Sequence, residues 1–210
     1  KKSEIRFKSL FEDSPIPLWE EDFSEIKKHL EKLNLINENP QTLALYFKTH
    51  PDLVDKCFSL LKIIDVNTMC LKLHKVKTKK ELILDHSQII DENYISAFTK
   101  QLIAITQGEK QIIVDTKIKT SEGEYRDVNL RWSVIRGYEK TLERIILSTA
   151  DITDRKSSES IILKSKQRTE SLINTIDGIV WECDVQTFIF NFLSQKVENI
   201  LGYTTEDWLK

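Results

Sequence analysis

Gln111-Ile112-Ile113-Val114-Asp115-Thr116-Lys117-Ile118-Lys119-Thr120 reads as a β-strand with two unlike faces. Ile112, Val114, Thr116 and Ile118 fall on one side, Asp115, Lys117 and Lys119 on the other. Ser121-Glu122-Gly123-Glu124 makes a hairpin turn. Tyr125 to Ile135 answers with Val128, Leu130, Trp132 and Val134 against Asp127, Asn129, Arg131 and Ser133, and Gly137 to Thr141 links it to a third run, Arg144 to Asp151. Antiparallel sheets with one solvated face give this alternation, so the other face needs cover.

The cover lies upstream. Asp91 to Gln107 is the strongest helical stretch, with Ile95, Phe98, Leu102 and Ile105 inward and Gly108 at its C-terminal stop. Before it come two short helical turns, Asn67 to Lys75 and Thr78 to Leu84, and a short apolar strand, Ile63 to Val66. Glu4 to Asp13 has near-helical apolar spacing and is stopped by Pro15 and Pro17. Ile16 to Asp22 follows as a strand, with Pro17 at its start, where a missing donor is tolerated. Phe23, Ile26, Leu30 and Leu33 predict a helix. Asn39-Pro40 and His50-Pro51 each read as an N-cap followed by Pro at the first helical position. The second of these starts a helix with Leu53, Val54, Cys57, Phe58 and Leu61 on one face. The sum is an α+β domain: a five-stranded antiparallel sheet with helices on one face.

Composition narrows the function classes. With 40% apolar and 30% charged residues the chain reads as an ordinary globular protein, and a net charge of -2 makes no electrostatic case for nucleic acid or an anionic membrane. No apolar run approaches 18 residues and no signal peptide is present, so the expectation is a cytoplasmic chain without direct membrane contact. Cys57, Cys70 and Cys183 are odd in number and widely spaced, which reads as buried reduced thiols and no metal site. His29, His50, His74 and His86 are scattered and read as surface or capping residues. No glycine-rich phosphate loop, metalloprotease motif, nucleophile elbow or kinase catalytic loop occurs, so no catalytic residue is assigned. Glu20, Glu21 and Asp22 are adjacent, point alternately up and down in a strand, and read as a solvated strand edge.

The chain also repeats itself. Ser9-Leu10 and Trp19-Glu20-Glu21-Asp22 recur as Ser171-Leu172 and Trp181-Glu182-Cys183-Asp184, an offset of 162. Leu73 to Leu82 pairs more weakly with Ile200 to Leu209 at an offset of 127. The difference, 35, predicts one complete unit carrying an insertion of that length, then the first part of a second unit; the expectation is a piece of a longer protein.

Asp65-Val66-Asn67, the hairpin ending in Arg131-Trp132-Ser133, and above all Asp151-Ile152-Thr153-Asp154-Arg155-Lys156 resemble a PAS domain, the small sensory module of two-component and cyclic-dinucleotide signalling proteins. In the second copy Trp181-Glu182, Asp184, Phe192, Ile200-Leu201-Gly202-Tyr203 and Trp208 resemble the first half of another. The resemblance implies a PAS domain over residues 1–152 with a helical insertion at about 24–60, a linker helix over 153–176, and an incomplete second PAS domain over 177–210. Residues 179–210, lacking the rest of a sheet, are expected to be ordered by a neighbouring copy or to rearrange into a helix.

The resemblance also implies a pocket between sheet and small helices, lined by Trp19, Met69, Phe98, Leu102, Leu130 and Trp132, though each of these fits a packed core equally. A photoadduct flavin would require a reactive Cys one helix later than Cys70, and haem an axial His on the long helix, which has none; neither cofactor is expected, and the ligand is unknown. Asp151 and Thr153 are expected to pass a signal into the exit helix, with Asp22 as their contact on the first strand. Along that helix Ile162, Thr169 and Ile176 fall seven apart, with Ser165 and Leu172 three after the first two, a weak heptad that implies a homodimer. The expected function is a non-catalytic sensory module relaying a ligand-driven or partner-driven change to a histidine kinase or diguanylate cyclase. The alternative is a ligand-free dimerisation module with a filled core.

Overall fold

A computed structural model describes residues 2–84 and 90–208; His86, Lys1, Leu209 and Lys210 lie outside them. The chain divides into two units, Lys1–Thr153 and Asp154–Lys210. In the first, α1 (Lys2–Glu12) leads to β1 (Leu18–Asp22), then α2 (Ser24–Lys32), α3 (Pro40–Thr49), α4 (Pro51–Leu60), β2 (Lys62–Val66), α5 (Thr68–His74), α6 (Lys79–Leu84), α7 (Glu92–Thr106), β3 (Gln111–Lys119), β4 (Tyr125–Val134) and β5 (Ile145–Asp151). The strands form one antiparallel sheet in the order β2-β1-β5-β4-β3. This is the α+β architecture that the alternation of β3 and β4 predicts. Gly123, at φ 83°, makes the turn between them, and Gly123 donates its backbone N–H to Thr120.

The core lies between the sheet and the helices, with Trp19, Val66, Leu130, Trp132, Ile145 and Leu147 from the strands and Phe98, Leu102 and Ile105 from α7. Ile95 is not part of it: it is 41% exposed, one turn before Phe98, in a groove shared with α3 and α4. The helical spacing is right, but the fully buried residues of α7 begin only at Ala97.

The insertion is built into the same core. Leu30, Leu43, Phe47, Val54 and Cys57 are buried with the α7 residues. Asn39 caps α3 as its sequence predicts, accepting from the N–H groups of Gln41 and Thr42. His50 stands at the N-cap position of α4 with Pro51 in the first turn, as its sequence predicts, but its side chain makes no capping bond; its Nδ1 lies 2.9 Å from the carbonyl of Tyr46, closing α3 instead. Asn37 N–H donates to the Thr106 carbonyl and Gln107 Nε2 to the Glu38 carbonyl, tying the insertion to the end of α7.

Asn67 holds the N-terminal half together. It is fully buried, its Oδ1 accepts from Leu18 N–H (3.0 Å) and Cys70 N–H (3.1 Å), and its Nδ2 donates to the carbonyls of Phe11 (3.1 Å) and Ile16 (2.9 Å).

The second unit begins with α8 (Thr153–Thr175), a helix with no buried residue, and continues with β6 (Trp181–Cys183), β7 (Phe190–Leu193), α9 (Lys196–Leu201) and α10 (Thr205–Trp208). Its hairpin copies that of β1 and β2. Trp19 pairs with Val66, Glu20 with Asp65 and Glu21 with Ile63, with a bulge after the second pair; Trp181 pairs with Leu193, Glu182 with Phe192 and Cys183 with Phe190, with a bulge at the same step. Leu18 N–H is accepted by the Asn67 side chain, and Val180 N–H by the Ser194 hydroxyl. The helix that follows ends in a left-handed residue in both, Lys75 and Gly202. Each correspondence holds at the sequence offsets, 162 for the first strand and 127 for the second. Of the two outcomes expected for residues 179–210, the rearranged helix is therefore overturned over the described residues: local hydrogen bonds hold the hairpin in register.

Two substitutions probe these supports. Phe47→Ala is expected to lower stability by about 3–5 kcal/mol, measured by denaturant unfolding, because the insertion shares the main core. Asn67→Leu should cost about 3 kcal/mol or more, since it strands several buried backbone groups, and Asn67→Ser, which copies Ser194, should lose clearly less.

Candidate functional site

A cavity of about 40 Å³ lies under the sheet where β1, β5, α5 and α7 meet. Its walls are part apolar, from Ala97, Phe98, Leu130 and Leu147, and part polar, from Glu21, His74, Tyr94, Gln101, Thr116 and Thr149. Period two explains much of the lining: Trp19 and Glu21 on β1, and Leu147 and Thr149 on β5, share one face. Helical spacing adds His74, four residues after the buried Cys70.

The sequence-predicted pocket residues are only partly brought together. Trp19, Phe98 and Leu130 line the cavity. Leu102 and Trp132 are buried beside it in the core, Trp132 edge-on to Phe23 at 5.7 Å. Met69 lies elsewhere, because α5 turns the Cys70–His74 stripe inward and Met69 sits one residue off that stripe. His74, expected at the surface, is 4% exposed and meets the Trp19 ring edge-on at 5.4 Å.

The acidic run on β1 also departs from expectation. β1 is paired on both sides, by β2 and β5, so it has no solvated edge. Glu20 is buried and receives Arg144 Nε at 2.6 Å. Glu21 is 3% exposed, its Oε2 has no hydrogen-bond partner, and burial pushes its carboxyl from 4.5 up to about 8. Burial, followed by the nearby Glu21, raises the Tyr94 hydroxyl as well. Trp19 Nε1 and Thr149 Oγ1 are likewise buried without partners. Cys70 stands apart from this polar set: its Sγ donates to the Leu18 carbonyl at 3.0 Å and burial lifts its thiol to about 12, so it is not a nucleophile. Cys57, lifted to about 11 by the same cause, is no more reactive. Among the described residues no group of three or more His, Cys, Asp or Glu is placed to hold a metal, and no helix is long and apolar enough to cross a membrane.

A second constellation closes β5. Asp151 Oδ1 accepts from Thr153 N–H (2.9 Å) and Thr153 Oγ1 (2.6 Å). Thr153 Oγ1 in turn accepts from Asp127 N–H (3.0 Å), and Ile152 N–H donates to the Asp127 carbonyl (2.8 Å). The turn is thus clamped to β4, not to the first strand. Asp22 is not with it: Leu18 stands opposite Ser148 on β5, so the antiparallel pairing carries Asp22 to the far end of β1. There its Oδ1 accepts from Ser24 N–H and starts α2.

Glu21 gives a pH dependence with a definite sign. A carboxyl whose folded pKa is raised keeps its full stability contribution below pH 4.5 and loses it as pH rises toward about 8, because only the unfolded chain is then ionised. Relative to Glu21→Gln, the native chain should lose a few kcal/mol across that window, read as melting temperature at pH 5 and pH 8. A flat difference would contradict the burial argument.

No protein-family model and no curated protein matches the chain. Among solved structures it is similar to the LOV protein of Rhodobacter sphaeroides, at 15% identity and a TM-score of 0.45 over 72% of this chain and 67% of that one. It is also similar to a domain of a sensory box sensor histidine kinase/response regulator from Geobacter sulfurreducens, at 12% identity and 0.43 over 71% and 94%. A third is the PAS domain of Bordetella pertussis BvgS, at 12% identity and 0.41 over 80% and 99%. The sheet order, the small helices and long α7 between β2 and β3, and the Asp151-Ile152-Thr153 turn leaving the last strand are this chain's own evidence: its first unit has the fold of a PAS domain.

Proposed function

We propose that residues 2–153 form a non-catalytic sensory and signal-transfer module that passes a change at its cavity into the exit helix. One observation carries this: β5 is continuous from the cavity to the clamp. Leu147 and Thr149 line the cavity, and Asp151, two residues on, receives the hydrogen bonds of Thr153 at the end of the same strand. A rotation or shift of β5 that repacks Thr149 must act on Asp151, since adjacent residues of a strand move together. A ligand that prefers one arrangement of β5 would shift the population of both.

The second reading is a dimerisation module with a filled core. Its support is the cavity volume of about 40 Å³, below the roughly 300–1,000 Å³ of a drug-sized ligand site. Native mass spectrometry of the purified protein separates the two readings, since a retained small molecule favours the first. Either output, a histidine kinase or a diguanylate cyclase, would receive the exit helix. The hairpin identity of β6–β7 with β1–β2 supports placing residues 177–210 as the first part of a second PAS domain.

Dimerisation through α8 is part of the proposal. Ile162 and Leu172 are more than 45% exposed on a helix with no buried residue, with Ile176 just past its end, at the spacing of a heptad seam. Ile162→Glu with Leu172→Glu should convert a dimer into a monomer in sedimentation; a monomeric native chain would refute the seam.

The relay has its own test. Asp151→Ala with Thr153→Ala should cost only about 1 kcal/mol, the scale of a lost cap, while abolishing stimulus-dependent output of the parent protein. Unchanged output with a cooperative melt would remove the relay.

A further inference from the structure

Trp19 Nε1, Glu21 Oε2 and Thr149 Oγ1 are each on a side chain at least nine-tenths buried, line one cavity, and have no hydrogen-bond partner. Buried polar groups are ordinarily paired, so three unpaired ones in one place mark a site built for something else. Trp19 and Glu21 are two residues apart on β1, opposite Leu147 and Ile145 of β5, and Thr149 lies two residues beyond Leu147, on the other side of Trp19 from Glu21, so the spacing is set by the sheet and not by loops. Facing them, α7 presents Ala97 and Phe98 between Tyr94 and Gln101, and α5 presents His74. The volume, about 40 Å³, is room for about three waters, or for a molecule of about four non-hydrogen atoms.

We propose that the cavity recognises a small uncharged molecule bearing an amide or lactam group, with Glu21 as the residue that reads it. This rests on the sensory reading above and names the ligand class of that same site. The chemistry follows from the donor set. A neutral carboxyl presents an O–H donor beside a C=O acceptor, the complement of the C=O and N–H of an amide, so two hydrogen bonds close a ring. Trp19 N–H, two residues along the same strand, then supplies a donor for the second lone pair of the ligand carbonyl. Burial keeps Glu21 protonated at neutral pH and so supports its role as a donor. An anionic ligand is disfavoured: it would be desolvated beside a carboxyl, and the one cation among the lining residues, Lys117, is exposed at the rim.

Acetamide is the probe, titrated into the full ¹⁵N-labelled chain, whose four tryptophans each give an indole N–H resonance. The Trp19 resonance should shift saturably, those of Trp132, Trp181 and Trp208 should not, and acetate should move none. Glu21→Leu, which keeps bulk but removes both oxygens, should weaken binding about tenfold. Glu21→Gln, which keeps a donor beside an acceptor, should retain it. If Glu21→Leu does not melt cooperatively, Glu21→Met, which keeps the length of the side chain and removes both oxygens, carries the test. No saturable Trp19 shift up to about 100 mM, ample for so small a ligand, would overturn the proposal, as would an equal response to acetate or unchanged binding by the Leu or Met variant. Acetamide binding that leaves the amide resonances of Asp127, Ile152 and Thr153 unmoved keeps the ligand class and removes the relay. Uncoupling by the Asp151/Thr153 double variant without acetamide binding does the reverse.

Discussion

The side chain of Asn67 is the constraint on which the first half of the fold depends. Four backbone segments converge on it: the end of α1 at Phe11, the extended residue Ile16, the start of β1 at Leu18, and the first turn of α5 at Cys70. All four donor and acceptor positions of one amide are used, with no solvent to substitute for any of them. A residue with two donors and two acceptor lone pairs is needed where four chains meet. Fixing Leu18 fixes the register of β1, and that register places Trp19 and Glu21 on the cavity face. The site is therefore downstream of a hydrogen-bond junction some residues away, and the same backbone pair, Asn67 N–H to the Leu18 carbonyl, recurs as Ser194 to Val180.

Much of this was legible in the sequence, for reasons that differ from element to element. The β3–β4 hairpin could be read because one of its faces is solvated and the other packed, which forces period two on side-chain polarity. The Asn39-Pro40 cap could be read because the capping bond is local. His50-Pro51 has the same form and the same position, but its side chain makes no capping bond, because the preceding helix ends on the same residue and its ring turns back to Tyr46. Glu21 could not be read as buried. A carboxylate in a run of three acids signals solvent unless one knows that the strand has neighbours on both sides, and strand order is a non-local fact. With Trp19 in the pocket, period two is the local signal that carries Glu21 to the same face. On α5 the sequence points to Met69 and the structure has His74, because a helix of seven residues is too short for its sequence to fix its facing.

The cavity and the clamp represent opposite treatments of polar groups on one strand. At Asp151 and Thr153 the side chains are hydrogen-bonded to one another and to β4. At Thr149, two residues earlier, the hydroxyl is buried and unpaired. Leaving such a group unsatisfied costs about 1–3 kcal/mol, and three of them on the same face make this the least relaxed part of an otherwise filled core. A binding partner gains that same energy back. On the proposed function, the strand thus joins the place where a ligand would act to the turn that leads into the exit helix.

The two hairpins show what the insertion does and does not determine. In the second unit β6 and β7 are joined by a short turn in which Asp184 accepts from the N–H groups of Gln186 and Thr187, and Phe188 takes a left-handed conformation at φ 56°. In the first unit the same two strands are separated by α2, α3 and α4. Register and bulge are nonetheless the same, so neither is set by the connection; they are set by strand pairing and by the polar side chain after the second strand. Lengthening a loop costs little, on the order of 0.6 kcal/mol per doubling, and here the added chain more than offsets that by burying Leu30, Leu43, Phe47 and Val54. The insertion is therefore an enlargement of the core, tied at Asn37 and Glu38 to the end of α7. A helix held at its C-terminus in this way, and lining the cavity through Tyr94, Ala97, Phe98 and Gln101, gives the cavity one wall braced by the insertion and another, β5, that leads out of the domain.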